Sequence, residues 1–268
     1  MIKSISQRYR YTIILLKQLV KTDFKLRYQN SVLGYLWSLL RPLALFAILY
    51  VIFVKFLKVG NGIPHYPVYL LLGIVLWNFF AEVTTSSVGA IVSKGDIMRK
   101  INFPRYVIVL SGSFSALINL FLNLVVVGVF MIIAGVTLRP VAIVAPLLIA
   151  ELFVFSLAIA FFLSAAFVRF RDISYIWEVL MQGAFYATPI LYPISLIPVN
   201  AAKILLLNPV AQIIQDLRFV LITDQTKTIG QLYGTKLIRF VPLGITVAVS
   251  IIAVIYFKRR SRYFAEDV

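Results

Sequence analysis

Six stretches of about 20 or more mostly apolar residues, separated by short basic segments, leave this chain few ways to fold. They occupy roughly residues 35–57, 66–92, 107–134, 141–168, 173–192 and 237–257. Inside lipid the backbone has no water to bond, so each run must close its hydrogen bonds on itself as a helix. At 1.5 Å per residue each can cross a hydrocarbon layer of about 30 Å. The composition agrees, since 61% of the 268 residues are hydrophobic, against roughly 45–50% in a soluble domain. The expected fold is an all-α integral membrane protein with six transmembrane helices.

Residues 1–34 form a different region. Their one apolar run, 13–20, is interrupted by Lys17 and is too short to span. It also makes a poor signal peptide, because the core is charged and no small-residue cleavage site follows. Ile13, Leu16, Val20 and Phe24 share one helical face, while Lys17, Lys21 and Lys25 repeat every four residues on another. That pattern predicts an amphipathic helix in the headgroup plane, or one packed on a protein, and the two are compatible. Residues 201–222 are apolar enough to pass for a further span. Asn208-Pro209 breaks them, however, and a seventh crossing would separate two basic termini, so a re-entrant helix pair within about 194–230 is expected. With six crossings, Lys55, Lys58, Arg139, Lys203, Arg218, Lys227, Lys236 and Arg239 fall on the outer side. The remaining Lys and Arg fall inside, among them Lys258, Arg259, Arg260 and Arg262 of the tail at 258–268. The bias puts both termini in the cytoplasm.

The formal charge of +16 does not imply nucleic acid, because the basic residues sit in short segments between spans, where they set topology and meet lipid headgroups. No cysteine is present, which removes disulfides and thiolate chemistry. His65 is the only histidine and lies in a proline-flanked loop; a metal site needs several converging donors, so none is expected. The chain contains no GxxxxGK[ST] phosphate loop and no grouping of nucleophile, base and acid, so it is read as having no catalytic site. Transport would then be driven by a partner or by an ion gradient.

Five segments carry a resemblance: FKLRYQNSVLGYLWSLLRPL at 24–43, IMRKINFPR at 97–105, RFRDI at 169–173, YATPILYP at 186–193 and NPVAQIIQDLR at 208–218. In this order, over nearly the whole chain, they resemble the permease subunit of type-2 ATP-binding-cassette exporters, in the branch that exports O-antigen, capsule or teichoic acid. The resemblance implies a multi-pass protein of the bacterial cytoplasmic membrane. It implies two copies of this chain with two ATP-binding cassette subunits, which would hold the ATP and Mg, and a lipid-linked glycan as substrate. No cofactor is expected on this chain. An exporter of hydrophobic drugs or lipids would differ only in cargo. An ion-driven carrier is the reading from another class; it calls for an internal repeat, and none is evident.

The candidate site residues fall in three groups. Residues 94–105 form a short basic segment in which Asp96 can cap a helix, Pro104 ends it, Ile97, Ile101 and Phe103 supply apolar anchors, and Arg99, Lys100 and Arg105 supply charge. The residues alone allow a topology loop equally well; the resemblance implies an ATPase-coupling element. Arg41, Phe46, Tyr50, Phe53, Trp77 and Phe80 are candidates for the substrate path. Arg41 would either snorkel to phosphates or attract a lipid-linked pyrophosphate, and the aromatic faces would either stack on sugars or pack the core. Glu82 and Glu151 lie inside spans, where a carboxylate must pair, face protein or hold a proton. They serve either a proton relay or helix-helix hydrogen bonds.

Overall fold

The computed structural model describes residues 2–27, 34–60, 62–95, 103–235 and 237–264, giving backbone only at 2–9, 24, 26, 27 and 35. Every regular element among them is helical. Helix α1 runs Ile2–Arg27; α2 runs Trp37–Leu49 and continues as a π-helix over Tyr50–Phe56. Then come α3 (Tyr66–Val88), α4 (Ala90–Ser93), α5 (Tyr106–Ile133), α6 (Ala145–Arg169) and α7 (Ile173–Ala187). The chain closes with α8 (Val199–Leu205), α9 (Pro209–Leu221), α10 (Ile229–Tyr233) and α11 (Phe240–Arg260). Five continuous helical stretches are long and apolar enough to cross a membrane: Trp37–Phe56, Tyr66–Val88, Tyr106–Ile133, Pro140–Arg169 and Leu237–Arg260.

The bundle is built around α3. Helices α2, α5, α6, α7 and α9 all pack on it, and 78% of its apolar window is buried. That suits a helix with no sharp polar face; most of its side chains, from Tyr66 to Phe80, are enclosed by protein. Helix α2 is the opposite case, with only 11% of its window buried. The turn from α5 to the helix at Pro140–Val144 depends on Gly135, whose φ of +69° closes a Schellman cap: Gly135 N–H donates to the Ile132 carbonyl and Val136 N–H to that of Met131.

Two sequence expectations are realised in modified form. Residues 173–192 become α7, only 15 residues and about 22 Å long, because Thr188 is held extended by the following Pro189. The Tyr192 hydroxyl donates to the Tyr186 carbonyl near the end of the helix. The break at Asn208-Pro209 is sharp. Helices α8 and α9 meet at 104°, so they cannot form one straight rod, and composition supports five spans or six if the bent pair is counted. Asn208 accepts from the Val210 N–H at 3.0 Å and Pro209 opens the helix, which together make a capped start for α9.

Helix α1 runs against α5. Leu15, Leu16 and Leu19 cover Phe103, Val107 and Ile108. Asp23 accepts from Lys94 Nζ at 2.9 and 3.0 Å and from the Ser111 hydroxyl at 3.0 Å. Its charge is thereby spent within the chain, while Lys17, Lys21 and Lys25 stay exposed.

Candidate functional site

Between α2, α3 and α5 lies a cavity of about 900 Å³. Its lining combines polar and apolar side chains. Ser38 and Arg41 come from α2, Asn78, Glu82, Thr85 and Ser86 from α3, and Asn119 and Asn123 from α5. Trp37, Pro42 and Phe79 are among the apolar residues beside them.

Local chemistry explains each wall. Pro42 sits inside α2 and has no N–H to offer the carbonyl of Ser38, four residues back. Asn123 of α5 replaces it, donating from Nδ2 to Ser38 O at 3.3 Å and also to the Asn119 carbonyl at 2.8 Å. Asn119 in turn donates to Glu82 Oε1 at 2.8 Å. A proline and two asparagines thus join α2, α5 and α3 through polar groups that would be costly to leave unbonded. Glu82 lies six residues before Val88, about 9 Å from that end of α3. Arg41 is exposed, and no hydrogen bond or ion pair to it is found among the described residues. The site therefore offers one guanidinium, one carboxylate already holding an amide, several amides and hydroxyls, and an indole at its rim. It can receive a polar, hydroxylated or anionic group at membrane depth. Among the described residues no cluster of three or more His, Asp or Glu could hold a metal ion.

Of the candidates read from sequence, Arg41 and Glu82 meet at this cavity and the others lie elsewhere. Phe46 is buried, edge-on to Phe130 with centroids 5.8 Å apart. Tyr50 lies beside it, and Phe53 packs partly buried on the core. Trp77 and Phe80 belong to an aromatic cluster with Phe155, Trp177 and Phe185, between α3, α6 and α7. Glu151 lies on α6 with a buried Oε1 for which no hydrogen-bond partner is found among the described residues. In the basic segment, Asp96, Ile97, Arg99, Lys100 and Ile101 lie outside the described residues. Phe103 is turned into its own chain beside Pro104, against α1, and Arg105 stands 6.0 Å from the ring of Phe264. His65 is partly exposed in left-handed backbone just before α3.

Sequence reading passed over the neutral half of the site. Its signal was present: Asn78, Glu82, Thr85 and Ser86 fall at steps of four, three and one, Asn119 and Asn123 at a step of four, and Ser38 and Arg41 at a step of three. Those are polar stripes at helical period inside apolar runs, and in a membrane such stripes face protein or water.

The second built feature is near the turn between α5 and α6, around Arg218 of α9. It is fully buried. Its Nε donates to the Tyr69 carbonyl at 3.0 Å, Nη1 to Pro189 O at 2.6 Å and to Gln215 Oε1 at 3.1 Å, and Nη2 to Ile190 O at 2.7 Å. The guanidinium also lies 3.6 Å from the Tyr69 ring centroid. Tyr66 donates to the carbonyl of Leu191. Three successive carbonyls of the irregular stretch after α7 are therefore satisfied by side chains, which is what non-helical backbone at this depth requires. Adjacent Phe219 gives its carbonyl to Arg139 from beyond the α5 turn. A Cβ on Gly73 would fall inside van der Waals contact of the Arg218 guanidinium, so α3 has a glycine there.

The ABC-2 type transporter family matches residues 14–222. An O-antigen export system permease protein RfbA of Klebsiella pneumoniae is 32% identical over 240 residues, covering 88% of this chain and 92% of its own. A protein of the same name from Myxococcus xanthus is 29% identical over the full length of both chains. The matched region includes α2, α3 and α5 with their polar cavity and the bent α8–α9 pair, and this multi-spanning helical membrane protein belongs to the ABC-2 type transporter family.

Proposed function

We propose that this chain is the membrane-spanning subunit of an ATP-driven exporter of a bacterial polysaccharide, and that the cavity beside Arg41 receives the polar head of its lipid-linked cargo. The observation that carries the reading is the cavity itself. A lining of amides, hydroxyls, a carboxylate and a guanidinium inside apolar spans suits a phosphate-linked sugar and would be wasteful around an apolar drug. Relatives named as O-antigen export permeases support the same cargo class.

The division of labour follows. The chain has no phosphate loop, so ATP and Mg belong to separate ATP-binding subunits. Two copies of this chain and two of that subunit make the transporter. The α1 end faces the cytoplasm, as the basic bias requires. Residues 94–105 take the push of the ATPase, and Lys94 passes it to α1 through Asp23. Arg41 attracts the phosphate of the cargo, the amides hold its first sugar, and movement of α2, the span least buried within its own chain, opens the way outward.

The test is co-purification of the tagged chain from its native host in mild detergent, for wild type and for Arg99→Glu with Lys100→Glu. A P-loop ATPase that accompanies the wild type and is lost from the double variant supports both the exporter and the coupling segment. An ATPase retained by the variant moves coupling elsewhere. Its absence under several mild conditions favours an ion-driven carrier.

A further inference from the structure

Helix α1 and α5 leave a groove between them of about 310 Å³, separate from the polar cavity. Its walls are Ile13, Leu16, Lys17 and Val20 on one side and Phe114, Leu117, Ile118 and Phe121 on the other. Seven of these eight are apolar, and Ile13, Ile118 and Phe121 are more than two-fifths exposed. On α5 the wall begins eight residues in from Tyr106, about 12 Å along a spanning helix, so the groove opens where lipid adjoins the protein.

The charges beside it are one-sided. Lys17 lines the groove, and Lys21 and Lys25 follow at one-turn steps, all exposed. The nearest acid on α1, Asp23, is held by Lys94 and Ser111. The wall of α5 from Phe114 to Phe121 contributes no ionised group. An occupant must therefore be long and apolar in the groove and anionic at the lysine row.

We propose that this groove is a binding site for an anionic phospholipid, one acyl chain lying between α1 and α5 and the phosphate resting on Lys17 and Lys21. Neither half suffices alone. A surface lysine row attracts any anionic membrane weakly, and an apolar groove accepts any acyl chain; together they select headgroup and chain at one position. The bound lipid ties α1 to the spanning bundle, and the site is independent of what the exporter carries.

The test places the full chain in nanodiscs made of phosphatidylcholine with a varied fraction of phosphatidylglycerol. Phe121→Trp reports occupancy through fluorescence quenching by brominated acyl chains, read as the difference from the same preparation without that substitution. The bromine is carried either on phosphatidylglycerol or on phosphatidylcholine. Brominated phosphatidylglycerol is expected to reach half-maximal quenching at a mole fraction lower by about fivefold or more, with the advantage removed in Lys17→Ala/Lys21→Ala/Lys25→Ala and kept in the corresponding triple Arg variant. These lysines are exposed, and unchanged circular dichroism and elution volume will verify the fold. Equal quenching by the two lipids would mean non-selective annular lipid and overturn the proposal. A preference that survives the triple Ala variant overturns it as well, since the lysines would not read the headgroup. No quenching by either lipid means that protein covers the groove, and sinks it too.

Discussion

Two arginines, 177 positions apart, show how one residue type serves opposite ends of this molecule. Arg218 is fully buried, and four hydrogen bonds and an aromatic face account for its guanidinium. Arg41 is exposed at a roomy cavity, with no hydrogen-bonded or ion-paired partner found among the described residues. A fully buried cation whose three nitrogens each donate to its own chain is closed to a ligand and acts as a fastener. A cation exposed at a cavity near the end of a span, without such engagement, keeps its donors for a ligand. The contrast extends to the helices: α3, which Arg218 grips, is the most buried span, and α2, which carries Arg41, is the least.

The largest effect should follow from breaking the fastener. Arg218→Leu leaves the carbonyls of Pro189 and Ile190 buried and unbonded, a loss of about 3–5 kcal/mol. Thermal unfolding of the purified protein in detergent measures it, and near-wild-type melting would refute the fastening role. Arg218→Lys restores little, because a three-donor ammonium does not match the planar fork of a guanidinium. Arg41→Ala should do the reverse, leaving melting unchanged while export falls about tenfold or more, the equivalent of one lost charge-assisted contact. Equal losses of stability in the two variants would erase the distinction between these arginines.

Gly73→Ala sharpens the comparison further. Glycine to alanine within a helix ordinarily stabilises by roughly 0.5–1 kcal/mol. Here the new methyl meets a guanidinium pinned by four bonds, so a net destabilisation of about 1–3 kcal/mol is expected in the same melting experiment. The Arg218→Leu background, with the guanidinium gone, should relieve the clash; an unrelieved penalty would place its cause in α3 itself.

Much of this architecture could be read from residues alone. Five of the six apolar runs marked helices long enough to span, and Asn208-Pro209 marked the 104° bend, because proline chemistry is local. Arg218, in contrast, was counted as an outer topology charge. Its role depends on carbonyls at 69, 189 and 190, which only the fold brings together. Trp77 and Phe80 have the same aromatic spacing whether they line a tunnel or fill a core; packing against Phe155, Trp177 and Phe185 puts them in the core. At the cavity, charge drew the eye to Arg41 and Glu82, while Asn119 and Asn123 were passed over because neutral amides stand out less in an apolar run. The membrane makes them equally telling, since an unbonded amide there is also costly.

The smallest effect tests that point most directly. Asn123→Leu removes a donor to Ser38 O and should cost about 0.6–1.7 kcal/mol, the usual range for a hydrogen bond between membrane helices. The carbonyl needs outside help only because Pro42 lacks an N–H. In a Pro42→Ala background, residue 42 can close the α2 turn itself, and Asn123→Leu should then cost only what its bond to the Asn119 carbonyl is worth. A double-mutant cycle in detergent measures the coupling. A cost that is the same in both backgrounds would show that Asn123 does not serve the proline break, and that the polar stripe on α5 is there for the cavity alone.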